Sequence, residues 1–472
     1  MRTVCLLLVT LTLTAGPMAA VVQSTAEQTE QVFLTVYNSD LGLVREVRTV
    51  PLPSGTLDLE YADVAARIDP TTVHITSLSH PGELAVLEQN FEYDLLSPDR
   101  LLENFIGRPI RFTSRSNSDP SQAMTREGTL LSVQGGRIIE TDDGIVINPE
   151  GEISVEADTG ALRAEPTLVW LLESGAEAEH RLEASYLTSG ISWEADYVAV
   201  INNTDTELGL TGWVTIDNRS GATYENARLK LVAGDVNRAQ QPPPMPEMMY
   251  ARGMVTGGAP QFEEETFFEY HLYTLQRPAT VRDRQTKQIT LLTAEGVEIT
   301  KRLIAESPWF SAWTRSGGAP GEPEHVRVEI EFDNTEANRM GMPLPRGTVR
   351  MYRADSDGAL QFIGEDSIDH TPRDEQIRLE VGEAFDVVYE RTQLDFRELM
   401  GDRTEHDWQI TVRNHKEEDV AVTIVEHATG DWAITRESQR HEQVTSDTFE
   451  YTVDVPADGE ATVTYTIRFD NR

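Results

Sequence analysis

Gly190–Arg238 reads GISWEADYVAVINNTDTELGLTGWVTIDNRSGATYENARLKLVAGDVNR, and the spacing of its apolar residues decides the fold. Tyr197, Ala199 and Ile201 alternate with Asp196, Val198 and Val200 before the polar run Asn202-Asn203-Thr204-Asp205. Leu208, Leu210, Val214 and Ile216 then share one parity, with Trp213 and Thr215 on the other. Asp217-Asn218-Arg219-Ser220-Gly221 breaks the run, and Leu229 and Leu231 resume it. Period-two apolarity between Asn, Asp and Gly clusters predicts three strands joined by turns. A helix would need apolar residues at three- and four-residue steps.

The same alternation recurs outward. Val326, Val328, Ile330 and Phe332 interleave with Arg327, Glu329 and Glu331. Trp408, Ile410 and Val412, then Val463, Tyr465, Ile467 and Phe469, repeat the pattern. One wet face and one buried face is what an antiparallel sandwich requires. Near the N-terminus, Val32–Tyr37, Leu43–Val47 and the alternating Leu57, Leu59 and Tyr61 read as short strands.

Between Asp94 and Ala164 the pattern changes. Ser97-Pro98-Asp99 supplies a hydroxyl cap, a proline at the first helical position and an early acid. Leu101, Leu102, Phe105 and Ile106 give one apolar face, and Gly107 ends the helix. Ile110–Phe112, Gly128–Val133, Arg137–Ile139 and Ile145–Ile147 read as four strands of a small barrel-like module, with a polar loop at Ser114–Thr125. After Arg238, prolines, methionines and glycines deny residues 239–261 any ladder and predict a flexible loop.

The expected fold is mainly β: multidomain antiparallel β-sandwiches with one small helix-containing, barrel-like insert. Residues 1–20 read as a signal peptide, 25–93 as an N-terminal β domain and 94–164 as the insert. Residues 165–315 read as a sandwich carrying the 239–261 loop, and 322–472 as a C-terminal sandwich.

Gly190–Arg238, together with Asn334–Tyr352 (NTEANRMGMPLPRGTVRMY) and Val381–Phe396 (VGEAFDVVYERTQLDF), resembles blocks of the bacterial family DUF4139. The resemblance spans roughly residues 165–472 and implies a β fold without an established activity. The N-terminal layout is similar to that of mucoidy-inhibitor-type proteins.

Charge is the outlying quantity: 79 Asp and Glu oppose 40 Lys and Arg, for a formal net charge of −39. Only Lys230, Lys287, Lys301 and Lys416 are lysines; the other basic residues are arginines. Such a surface repels nucleic acid and anionic lipid, so neither is an expected partner. It keeps the chain soluble, and it also suits high salt, where screening relieves self-repulsion.

Arg2, the apolar run Val4–Leu13 and the small residues Gly16–Ala20 form the expected export signal. No later stretch approaches the length of a membrane-spanning helix, so the mature chain is expected to lack a transmembrane segment. Cys5, the only cysteine, lies inside the signal. The mature protein is therefore expected to have no disulfide, thiolate metal site or cysteine nucleophile.

Catalytic signatures are incomplete. His441-Glu442 opens a zinc-protease string, but Thr445 stands where the second histidine is needed. Asp355-Ser356-Asp357-Gly358 opens like a calcium loop, yet Gln361, Phe362 and Ile363 interrupt the ligands, and an Asp-Gly turn explains it more simply. Gly190-Ile191-Ser192-Trp193-Glu194 lacks the second glycine of a nucleophile elbow. No catalytic residue, metal site or cofactor is assigned. Trp309, Phe310 and Trp313 form the densest aromatic cluster and are the candidate ligand-binding residues, with core packing as the plainer explanation.

The expected role is a non-enzymatic envelope or extracellular interaction module, with an unidentified protein or glycan as partner. Glycan or peptide binding is one alternative. A hydrolase of unrecognised type is another, and His406, His415, His427 and His441 are where its chemistry would be sought.

Overall fold

The computed structural model describes residues 20–92, 98–115, 123–149, 151–156, 165–234, 236, 262–267, 270–315 and 321–470. The expected signal, apart from Ala20, and the 239–261 loop lie outside them. Strands dominate, and the one α-helix among the described residues is Pro98–Glu103. The chain divides into two compact units and passes between them repeatedly. The first gathers residues 1–192, 217–230 and 277–286; the second gathers 193–216, 231–276 and 287–472.

In the first unit one sheet runs Ala20–Ser24, Gly55–Tyr61, Thr167–Ser174, Leu84–Glu92. A second aligns Thr29–Tyr37, Leu41–Leu52, Ala178–Thr188 and His74–Ser77. Strands that the sequence places in separate domains thus pair side by side: Thr167–Ser174 with Gly55–Tyr61, and Ala178–Thr188 with Leu41–Leu52. Their inward residues interlock, with Tyr61 edge-on to Trp170 at 5.7 Å and both fully buried. Each such buried side chain stabilises the fold by roughly 1.5–3 kcal/mol.

The core also holds a charge pair. Glu46 and Arg48 sit on the buried parity of Leu41–Leu52 between Val44 and Val50. Arg48 Nη2 donates to Glu46 at 2.8 Å, and Nη1 donates to the carbonyls of Ala62 at 2.8 Å and Ser24 at 3.3 Å. Its guanidinium lies 3.6 Å over the Tyr61 ring.

The insert is an open five-stranded antiparallel sheet, not a barrel: Gly144–Ile147, Ile138–Thr141, Ala123–Ser132, Pro109–Arg115, Ile153–Ser154. Its two edge strands do not pair, so the sheet does not close. Helix Pro98–Glu103 covers one face, with Leu102 and Phe105 packed on Ile110, Phe112, Leu130 and Ile139. Ile106, expected on that face, is exposed. The strands Pro109–Arg115 and Ala123–Ser132 extend into the segment expected to be a polar loop.

The second unit holds a sheet of Gln285–Glu298, Glu207–Asn218, Ile191–Ile201, Gly347–Ala354 and Leu360–Ile368. The expected alternation is present: Tyr197, Ala199, Ile201, Leu208, Leu210, Val214 and Ile216 are all buried. A larger sheet contains Trp432–Glu437, Gly459–Asp470, Arg403–Asn414, Gln376–Leu399, Glu324–Asp333, Thr300–Glu306, Val420–Thr429 and Thr448–Val455, and it surrounds one aromatic-rich core. Pairing is mostly antiparallel. Among the exceptions, Ile191–Ile201 runs parallel to Gly347–Ala354, and Thr300–Glu306 runs parallel to Val420–Thr429.

Three strands end in the same device. Asn218, Asn334 and Asn414 follow the alternating runs Val214–Ile216, Ile330–Phe332 and Ile410–Val412, and each is almost fully buried. Asn334 Nδ2 donates to the carbonyls of Met342 and Pro372, while its Oδ1 accepts from Gly341 N–H. Asn414 does the same for Glu418, Val455, Pro456 and Lys416. Buried amides of this kind satisfy loop carbonyls that would otherwise lack partners.

Candidate functional site

In the larger sheet, Thr300–Glu306 and the two-residue strand Phe310–Ser311 both lie along Val420–Thr429, with Glu306 opposite Val425 and Phe310 opposite Ala428. Ser307-Pro308-Trp309 bridges them. Ser307 N–H still donates to Val425 at 2.9 Å and its hydroxyl turns inward, whereas proline offers no N–H to the ladder. The aromatic cluster that follows is split between core and surface. Phe310 is 3% exposed, packed edge-on against Trp408 at 5.5 Å and Phe469 at 6.0 Å. Trp309 and Trp313 are 57% and 64% exposed.

Trp309 does not hang free. Its ring stacks on His427 at 4.5 Å with 15° between the planes. His427 is pinned at both nitrogens, Nε2 to Glu306 at 2.9 Å and Nδ1 to the Thr448 hydroxyl at 3.1 Å. The carboxylate can only accept, so Nε2–H donates to it, while the Thr448 hydroxyl serves Nδ1 as either donor or acceptor. Glu306 also meets Arg327 at 2.7 Å. Partial burial pushes the Glu306 carboxyl up, but the hydrogen bonds from His427 and Arg327 outweigh it and hold it below the usual range. Arg327 in turn reaches Glu329 at 2.8 Å. On the same strand as Arg327, His325 stacks beside Phe385, which is 86% exposed.

Beneath this surface lies a buried polar cluster. Arg391 holds Glu426, and Glu426 accepts further bonds from Ser307 and Tyr465, both at 2.8 Å. Burial disfavours the Arg391 charge, yet Glu426 more than restores it and raises the affinity for its proton. The cluster is structural, since its carboxylate is fully buried and surrounded by donors.

The candidate histidines do not converge. His406 is fully buried, with Nδ1 accepting from Gln393 at 2.9 Å and Nε2 donating to Ala312 O at 3.1 Å. His441 pairs with Glu437 at 2.7 Å. The backbone N–H of His415 donates to Asp386 O. Asp355 spends its carboxylate on the N–H groups of Asp357 and Ala359 and on Gln361, forming a turn between two paired strands. Among the described residues, no group of three or more His, Cys, Asp or Glu is placed to hold a metal ion. No helix among them is long and apolar enough to cross a membrane.

The Glu306–His427–Thr448 support escapes sequence reasoning because it joins three strands far apart in the chain. The buried pair left a readable signal. Glu426 shares parity with Val422, Ile424 and Ala428, and Arg391 shares parity with Val387 and Tyr389, so both charges fall on core-facing positions.

Fold and site together define a mainly β protein of two units, with an anchored aromatic surface on the C-terminal sheet of the second. The chain belongs to the family described as a domain of unknown function, DUF4139, whose model matches residues 182–470. No curated protein matches the chain.

Proposed function

We propose that this chain is an exported, non-enzymatic interaction module of the cell envelope or its exterior, docking its partner through Trp309 and Trp313. The observation that carries this reading is the anchored indole: Trp309 lies flat on a histidine that is itself held at both nitrogens. An exposed aromatic already fixed in place loses little freedom on binding, so more of its contact energy becomes affinity. The histidines point the same way, since His406, His427 and His441 each serve separate partners rather than one reacting centre. A glycan is the ligand class this geometry favours. With one indole face covered by His427, the opposite face offers the flat apolar platform that the C–H side of a sugar ring packs against.

Site-specific photo-crosslinking tests the proposal. A benzophenone side chain at Trp313 should yield an adduct bearing protein or glycan in envelope or culture fractions, and Trp309→Ala should diminish it. A benzophenone at the equally exposed Ile147 serves as control. Equal adducts at both positions, or none at Trp313, would reject docking through this surface.

A further inference from the structure

Three loops of the first unit each bring an arginine to one cavity of about 610 Å³, lined by Arg67, Arg219 and Arg284 together with Asp217, Asp283 and Gly221. The loops are tied by one buried hub. Asn218 and Ser220 are both fully buried. Asn218 Nδ2 donates to the carbonyls of Ala222 at 2.9 Å, Arg282 at 3.0 Å and Val281 at 3.3 Å. Its Oδ1 accepts from the Ser220 N–H and hydroxyl. Ser220 O accepts the N–H groups of Ala66 at 2.9 Å and Arg67 at 3.3 Å. The backbone beside all three arginines is therefore fixed by the same two residues, through the Asn218 side chain and the Ser220 carbonyl. Gly221 completes the join at φ 86°, where a Cβ would stand 2.5 Å from that of Ala66. Only glycine allows that approach.

The two carboxylates are already engaged. Asp217 lies 3.0 Å from Arg219 Nε and accepts from Thr286 at 3.3 Å. Asp283 accepts from Gly221 N–H at 3.0 Å and lies 3.5 Å from Arg284 Nε. Arg67 makes no ion pair among the described residues. Three guanidiniums against two acids leave the cleft positive on a chain whose formal charge is −39. Guanidiniums match planar and tetrahedral oxyanions through paired N–H donors, and the volume lies within the range of small-molecule sites.

We infer that this cleft binds an anionic solute through its carboxylate or phosphate group, with Arg67 as the unpaired cation that receives it. This site shares no residue with the aromatic docking surface, so either reading can fail without the other. Calorimetric titration of the full chain at low ionic strength tests it with two probes, tricarballylate for the carboxylate source and inorganic pyrophosphate for the phosphate source. One probe should saturate a single site, and its affinity should fall roughly tenfold in Arg67→Gln and again in Arg284→Gln. Arg436→Gln, at an exposed arginine of the second unit, should change nothing. Failure of both probes to saturate, unchanged affinity in Arg67→Gln, or an equal loss in Arg436→Gln would each overturn the assignment.

Discussion

Arg391 grips Glu426 through contacts of 2.7, 3.0 and 3.2 Å inside the C-terminal core, with its guanidinium 3.4 Å above the centre of the Trp408 ring. The Glu426 side chain has no exposure and that of Arg391 is 13% exposed. Either charge left alone there would be desolvated without compensation. Glu426→Leu is therefore expected to cost about 3–5 kcal/mol, whereas Arg391→Met combined with Glu426→Leu should recover most of that loss. Urea unfolding of both single variants and the double variant measures it. A double variant as unstable as the worse single one would contradict the account.

His406 predicts a pH dependence. Burial holds its imidazole below the ordinary value of 6.5, and Nδ1 already accepts from Gln393. The folded state thus resists protonation that the unfolded chain accepts. Stability from this residue is complete above about pH 6.5 and is lost as pH falls through the folded value. The urea midpoint should decline below that pH, and His406→Asn should flatten the decline. An identical pH profile in the variant would exclude His406 as its source.

The three neighbouring aromatics should separate cleanly in stability. Phe310→Ala opens a cavity between Trp408 and Phe469 and is expected to cost about 3–5 kcal/mol. Trp309→Ala forfeits one stacked pair, about 0.5–1.5 kcal/mol. Trp313→Ala should stay within about 0.5 kcal/mol of the parent. Thermal unfolding of the three variants ranks them, and a Trp313 loss matching that of Phe310 would mean that Trp313 is packed.

Processing near Val21 should leave the strand Ala20–Ser24 almost whole. Its Ser24 carbonyl accepts from the buried Arg48. A chain begun at Thr25 loses that acceptor and the parallel pairing with Gly55–Tyr61, and should be less stable by at least about 1–3 kcal/mol. N-terminal sequencing of exported protein, followed by comparison of melting for the two chains, checks both parts. Recovery from the cytoplasm of a chain starting at Met1 would count against export.

Salt should stabilise the protein well beyond physiological strength. Screening shortens from about 8 Å at 0.15 M to roughly 3 Å at 1 M, which relieves repulsion among 79 acidic residues. The thermal midpoint is expected to climb across that interval in sodium chloride. A flat or falling midpoint would remove the case for salt adaptation.

Sequence periodicity was enough to place the strands. Ile191–Ile201, Glu207–Asn218 and Tyr224–Ala233 fall where alternation and turn residues put them, because each strand's burial pattern is written in its own neighbours. Partner strands are not local. The parallel pairing of Ile191–Ile201 with Gly347–Ala354 spans about 150 residues and leaves no mark on either segment. The insert's sequence reads as barrel-like because strand count is local, whereas closure depends on its two edges meeting. For the candidate site, the cluster at Trp309, Phe310 and Trp313 was visible, but its division between core and surface was not. That division depends on a proline crossover, and the anchor beneath Trp309 needs His427, more than a hundred positions further along the chain.

Asn218, Asn334 and Asn414 lock the loops beyond their strands with side-chain amides, in a chain whose only cysteine is Cys5. Amide clamps have no oxidation state. The loops they hold, including those that bear Arg219 and Arg284, keep one geometry in oxidising and reducing surroundings alike. Reductants that would loosen a disulfide-stapled protein leave these joints untouched.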